Sequence, residues 1–277
     1  MNASGLLGSV EDLTVEFPRR RRLGDFNPAP FVAVDHASIE LRPGEITGLV
    51  GESGSGKSTL ARALLRLVPF TGNATVCGVS VDALPASAPL SYRRLVQAVF
   101  QDPLQALNPR HAVSELVGEP LTIHTDLDAR ARRERVVATL ESVGLDSGFL
   151  DRTTREMSGG QRQRVAIARA IVVEPSLLIL DEALSALDVT TAASVARLLH
   201  GIVREDSAML FIGHDLAMVR QLCNRVYVMR GGCVVESGTA EQVCGSPTHE
   251  YTQLLVASIP RLLRTETDEN RGTHESR

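Results

Sequence analysis

Two glycine-bearing segments hold most of the chemistry in this chain. One is Gly51-Glu52-Ser53-Gly54-Ser55-Gly56-Lys57-Ser58, followed by Thr59, and the other is Ser158-Gly159-Gly160-Gln161. In the first, Gly51, Gly54 and Gly56 permit backbone angles and close approaches that a Cβ would block. Successive backbone N–H groups can then turn inward and cradle phosphate oxygens. Lys57 would reach the β- and γ-phosphates, and the Ser58 hydroxyl would ligate Mg²⁺. A Gly/Ser-rich turn is the plain alternative, but an apolar run before the segment and a helical pattern after it favour a phosphate loop.

Such a loop needs a carboxylate from another strand. Leu177-Leu178-Ile179-Leu180 is an unbroken apolar run, as for a strand covered on both faces, and it ends in Asp181-Glu182. Ligands of open α/β sheets sit beyond the carboxyl ends of the strands, where these acids would emerge. Asp181 would hold the metal through water, and Glu182 would act as general base toward an attacking water. In the second segment, Ser158 and Gln161 have the spacing of a capping box that starts a helix at Arg162 to Ile171. Capping does not ask for two consecutive glycines, which would let a phosphate approach the exposed N–H groups closely. Two anion sites in one chain suggest a nucleotide gripped from both sides.

These groups require particular elements behind them. Ile46 to Val50 reads as a buried strand feeding the loop, and Leu60, Leu64, Leu65 and Leu67 repeat at helical spacing after it. Ala208 to Ile212 and Arg225 to Met229 read as further strands, alternating with a helix after Asp188 that carries Val195, Leu198, Leu199 and Ile202 on its core face. This alternation predicts a parallel sheet. Gly231-Gly232 predicts a hairpin turn before Cys233 to Glu236. Between residues 102 and 156 the pattern turns helical, with Val136, Val137, Leu140 and Val143 on one stripe. The Arg19 to Arg22 run reads as a solvated loop, with contact to anionic lipid headgroups as the alternative, and residues 264–277 as a disordered tail.

Composition narrows the class. The 277 residues are enough for one large α/β domain with a helical insert. A net charge of −4 with both signs interspersed argues against nucleic acid as a partner. No apolar run approaches a spanning helix and no signal-peptide core is apparent, so a cytoplasmic location is expected. Cys77, Cys223, Cys233 and Cys244 form no CxxC pair and read as reduced thiols.

Together the motifs resemble those of the nucleotide-binding subunit of an ATP-binding cassette (ABC) transporter over nearly the whole chain. Gly51 to Ser58 resembles the Walker A motif and Leu177 to Glu182 Walker B. Met157 to Gln161 resembles the family signature, with Met in place of the commoner Leu. Val99 to Pro103 resembles the Q-loop, Ser185 to Asp188 the D-loop, and Phe211 to Asp215 the switch segment. The resemblance implies a P-loop NTPase fold with a mixed sheet core, an antiparallel β layer and a helical subdomain at about residues 102–160, all within one domain of residues 1–262. It implies ATP and Mg²⁺ as cofactors, with Lys57, Glu182 and His214 as catalytic residues. Ser58, Gln101 and Asp181 would serve the metal. Ser158, Gly160, Gln161 and Asp188 would face the nucleotide of a second cassette, which is either a sister subunit or another copy. Phe17 is the leading candidate to stack on adenine, with Phe26 and Phe31 as alternatives.

Gln101-Asp102-Pro103 followed by Leu107-Asn108-Pro109-Arg110 is similar to the oligopeptide/dipeptide importer group. So is Ser246-Pro247-Thr248-His249-Glu250-Tyr251-Thr252-Gln253-Leu254-Leu255, closing at Ile259-Pro260 in an extension of about residues 237–262. The group implies two membrane permeases, an extracytoplasmic solute-binding protein and a location on the cytoplasmic face of the membrane. An exporter cassette or a soluble ABC ATPase is the alternative. Ala183-Leu184 and Gly213 depart from the usual Pro-Thr and Ser/Thr without removing a ligand.

Overall fold

The computed structural model describes residues 5–19, 29–101, 107–185 and 187–258. Expectations that fall on Phe26, on Arg20 to Arg22, on Asp102-Pro103, on Ala186 and beyond Ser258 lie outside the described residues.

The chain opens with β1 (Gly8–Phe17) and β2 (Phe31–Leu41), then β3 (Ile46–Val50) and α1 (Lys57–Leu64). Next come β4 (Thr71–Val76), β5 (Val79–Ser80), α2 (Leu90–Leu95) and β6 (Val96–Val99). Three helices follow: α3 (Val113–His124), α4 (Ala129–Ser142) and α5 (Gly159–Ile171). Alternation then resumes with β7 (Leu177–Asp181), α6 (Val189–Ile202), β8 (Ala208–Gly213), α7 (Leu216–Leu222) and β9 (Arg225–Arg230). β10 (Cys233–Thr239), α8 (Ala240–Gly245) and α9 (Glu250–Ala257) complete the described chain.

Two sheets result. The central one has the order β10-β9-β3-β8-β7-β6, parallel throughout except for the antiparallel β9–β10 hairpin. The second, β2-β1-β4-β5, is antiparallel. The mixed core and antiparallel layer expected from the sequence are therefore present. Gly231 and Gly232 have φ of 56° and 92°, the signs that a tight hairpin turn demands of both central residues.

The central sheet is covered on both faces, which explains its unbroken apolar strands. Leu177 and Ile179 of β7 point into the layer shared with α1 and the antiparallel sheet, where Leu49, Leu60, Val15 and Leu41 also pack. Leu178 and Leu180 point the other way, into the helices, beside Val195, Leu199 and Val165. The Val136 and Leu140 stripe of α4 packs in that same helical core with Val117 and Leu121 of α3. At about 25 cal/mol per Å² of apolar area buried, each such fully enclosed leucine contributes roughly 2 kcal/mol.

One helix is shorter than its periodicity suggested. α1 stops at Leu64, and Arg66 turns left-handed at φ 57°. The Leu67 N–H then bonds back to the Arg62 carbonyl at 2.8 Å, closing the helix end. Leu67, expected on the core stripe, lies past this stop and is 61% exposed.

Candidate functional site

Sheet register assembles the site. Val50 of β3 is level with Gly213 of β8, Ile212 of β8 with Asp181 of β7, and Leu180 of β7 with Val99 of β6. The residues that continue these strands, Gly51, Glu182, His214 and then Gln101, therefore emerge in one row along the carboxyl edge of the sheet. They are brought together by three separate strand pairings.

Within the loop, Gly51 and Gly56 are sterically required. A Cβ on Gly51 would lie 2.1 Å from the Met229 carbonyl oxygen, and one on Gly56 2.4 Å from that of Ala33, with both residues at positive φ. Gly56 caps α1 without any side-chain cap, so the helix start presents its own N–H groups. Lys57 is buried, and its Nζ donates to the Gly51 carbonyl at 2.8 Å, the Glu52 carbonyl at 2.7 Å and Ser55 Oγ at 3.3 Å. Burial holds its pKa below the ordinary lysine value, against the pull of Glu182, Asp181 and Glu52. Ser58 Oγ donates to Asp181 Oδ1 at 2.9 Å, linking loop and β7 directly. Burial raises the Asp181 carboxyl above its usual range; Glu182 adds to this, while Ser58, Arg62 and Lys57 oppose it.

Glu182 has a backbone the sequence does not announce. Its φ is 51°, a left-handed conformation that costs a non-glycine residue about 1 kcal/mol. Three hydrogen bonds hold it there. Its N–H donates to the Ile212 carbonyl at 2.9 Å, and its carbonyl accepts from the Ser185 N–H at 3.2 Å and Ser185 Oγ at 2.8 Å. The side chain turns into an open cavity of about 910 Å³, which Ser53, Lys57, Ser58, Thr59, Gln101 and Asp181 also line. Phe17 and Phe31 both line this cavity as well, and they are direct cross-strand partners, 37% and 49% exposed. Arg62 and Phe100 line it too, and the sequence reading gives neither a role.

His214 is exposed and lines a neighbouring pocket shared with Glu182, Ser185 and Leu187. The second glycine segment is elsewhere. Ser158 Oγ accepts from the Gln161 N–H at 3.3 Å, while the Ser158 N–H donates to Gln161 Oε1 at 2.9 Å, a reciprocal capping box on α5. None of Ser158, Gly160 or Gln161 lines the phosphate-loop cavity. Asp188 caps α6, accepting from the Thr191 N–H at 3.0 Å. A Cβ on Gly160 would lie 2.5 Å from Thr191 Cγ2, so this glycine has a packing reason besides any ligand. Gly159 has no such neighbour: the nearest atom to its Cβ would be 3.9 Å away.

The residues present fit a hard cation beside phosphate. Among the described residues, no cluster of three or more His, Cys, Asp or Glu converges to hold a metal alone. A hydroxyl and one buried carboxylate, 2.9 Å apart, form instead the sparse oxygen set with which Mg²⁺ is bound when substrate phosphates and water supply the rest.

A glycine loop around a buried lysine, a strand-end acid pair and a separate capped glycine helix on a two-sheet α/β frame define an ATP-binding cassette. The chain belongs to the ABC transporter family, whose model matches residues 34–185. It is 46% identical over 261 residues to the uncharacterized ABC transporter ATP-binding protein YejF of Escherichia coli, an alignment covering 92% of this chain and 48% of that protein. It is 42% identical over 260 residues to the oligopeptide transport ATP-binding protein OppF of Salmonella typhimurium, covering 92% and 78%. The chain thus spans about half the length of YejF and over three quarters of OppF. Among solved structures it resembles cbiO1 from Clostridium perfringens, part of the ABC transporter complex cbiONQ, with TM-score 0.75 and 26% identity over 93% of this chain and 97% of that one.

Proposed function

We propose that this chain is the ATP-hydrolysing subunit of a transporter that imports a small solute, a peptide or a related compound. The observation that carries the reading is the cavity at the carboxyl edge of the sheet, which Lys57, Ser58, Asp181 and Glu182 line together. The kinship with OppF, named for oligopeptide transport, supports the substrate class.

In this reading the loop from Gly51 to Thr59 holds the phosphates through those of its N–H groups that point inward, and Phe17 stacks on adenine. Lys57 exchanges its contacts with the Gly51 and Glu52 carbonyls for phosphate oxygens. Ser58 and Asp181 would hold Mg²⁺, with Gln101 as a further oxygen donor at the same cavity. Bound there, Mg²⁺ would neutralise developing charge on the phosphate oxygens. Glu182, held at a fixed angle by Ser185 and Ile212, accepts a proton from the attacking water, and His214 orients that water from the adjoining pocket. Ser158, Gly160 and Gln161 of a second cassette close on the γ-phosphate from the other side, with Asp188 at the seam. Phosphoryl transfer depends on position and charge, so an unclosed site should turn over slowly.

The helical subdomain at about residues 102–160 would move with the Gln101 segment and so drive two integral membrane permeases from the cytoplasmic face. An extracytoplasmic binding protein would deliver solute. No described helix is long and apolar enough to cross a membrane. Mass spectrometry of the tagged chain, extracted from native membranes in mild detergent, tests this. Two multi-helix permeases, a second cassette and a binding protein should accompany it. Ribosomes, DNA-associated proteins or no partner at all would overturn the transport reading.

A further inference from the structure

The segment Thr248-His249-Glu250-Tyr251, so far only part of a resemblance, reaches the phosphate loop. The Glu52 N–H donates to the Tyr251 hydroxyl at 2.9 Å, from a residue 199 positions away in the chain. The Glu52 carbonyl accepts from Lys57 Nζ at 2.7 Å. The two backbone groups of one residue thus join the start of α9 to the cation of the loop.

Tyr251 is itself fastened. It is 6% exposed, and the Arg230 guanidinium lies over its ring, 4.9 Å from the centroid. One carboxylate on β10 holds the turn before it. Glu236 accepts from the Thr248 N–H at 2.7 Å, Thr248 Oγ1 at 2.9 Å and the His249 N–H at 3.1 Å. His249 Nδ1 then accepts from the Tyr251 N–H at 3.1 Å, fixing the first turn of the helix. This is a continuous run of polar contacts from β10 to the loop, with every distance in the range of a true hydrogen bond.

We propose that Tyr251 is a positioning residue for the nucleotide: its hydroxyl, held in place by the Glu236 strap, fixes the Glu52 residue and thereby sets where Lys57 meets the phosphates. The inference rests on the phosphate-loop reading above. A ring that served only as packing would not need its oxygen, whereas a buried tyrosine keeps one because a polar partner is there to use it. Without the hydroxyl the Glu52 N–H loses its acceptor, and the peptide that carries it is free to turn.

Calorimetric titration of the full chain with Mg-ATP and with ADP tests this. Tyr251→Phe keeps the ring and its stacking on Arg230. It should raise the Kd for both nucleotides about five- to tenfold, with the thermal midpoint within about 2 °C of the parent chain. Glu236→Ala should weaken binding by a smaller factor. Combined with Tyr251→Phe it should add nothing further, because both act through the same hydroxyl. Binding by Tyr251→Phe within about twofold of the parent, or losses that multiply in the double variant, would overturn the proposal. A parent chain that binds neither nucleotide would remove the loop reading itself.

Discussion

The two glycine segments differ in how much of their structure is satisfied within the chain. In the phosphate loop, Gly51 and Gly56 press against the Met229 and Ala33 carbonyls, Lys57 is buried under its own loop, and Ser58 reaches Asp181 on another strand. The Gly232 N–H also holds the Ser55 carbonyl at 3.0 Å from behind. In the signature segment, the side chains of Ser158 and Gln161 accept from each other's backbone N–H groups, and a Cβ on Gly159 would meet nothing closer than 3.9 Å. One region has its groups tied to the rest of the chain from several sides. The other is a capped helix start facing outward, which has the form of a surface awaiting a counterpart. The proposed function predicts from this that the chain binds nucleotide alone and hydrolyses it only with a counterpart.

The contrast can be attacked at several points. The largest effect should come from Glu182→Gln. The amide cannot take a proton from water, so hydrolysis in the assembled complex should fall by about 100-fold or more while the ATP Kd stays near the parent value. Unchanged turnover would show that the strained residue is not the base.

At the signature helix, packing and function can be separated. Gly160→Ala drives a Cβ against Thr191 Cγ2 and should cost about 1–2 kcal/mol of stability, read by denaturant unfolding. Adding Thr191→Ser removes that methyl and should restore stability while turnover stays low. Recovery of both would mean that Gly160 serves packing alone.

The smallest effect on stability concerns the buried acid. Asp181 has a folded pKa above its unfolded value, with burial as the leading cause. Its stabilising contribution is therefore full below the unfolded pKa of 3.8 and lost as pH rises through the folded value. Asn keeps the acceptor for Ser58 and mimics the protonated form at every pH. Asp181→Asn should thus raise the thermal midpoint of the nucleotide-free chain at neutral pH by about 2 °C, while Mg²⁺-dependent hydrolysis is lost. A lower midpoint would mean that attraction to Lys57 and Arg62 outweighs the cost of burial.

Much of this arrangement was legible in the sequence because it is local. The apolar runs of β3, β7 and β8 alternate between two packed faces, so an unbroken pattern was the right sign of a doubly covered strand. The loop, the acid pair and the capping box each occupy a few consecutive residues. What the sequence hid depends on distant pairing. The cross-strand match of Phe17 with Phe31 leaves two aromatics at the cavity where one was favoured. The left-handed backbone of Glu182 is stabilised by Ile212 and Ser185, and no propensity for Glu announces it. The stop of α1 before Leu67 depends on Arg66 adopting a positive φ, which the leucine spacing contradicts. The packing demand on Gly160 comes from Thr191 of a different helix, which no local pattern announces.

The difference between the two regions is tested most directly by titrating ATP into the purified full chain carrying Ser158→Arg. If the phosphate loop is complete within one chain and Ser158 serves another's nucleotide, the variant binds ATP as the parent does, with an unchanged thermal midpoint, and fails only in hydrolysis by the assembled complex. Loss of ATP binding in a chain that melts normally would place Ser158 in the same site as Lys57 and contradict the division.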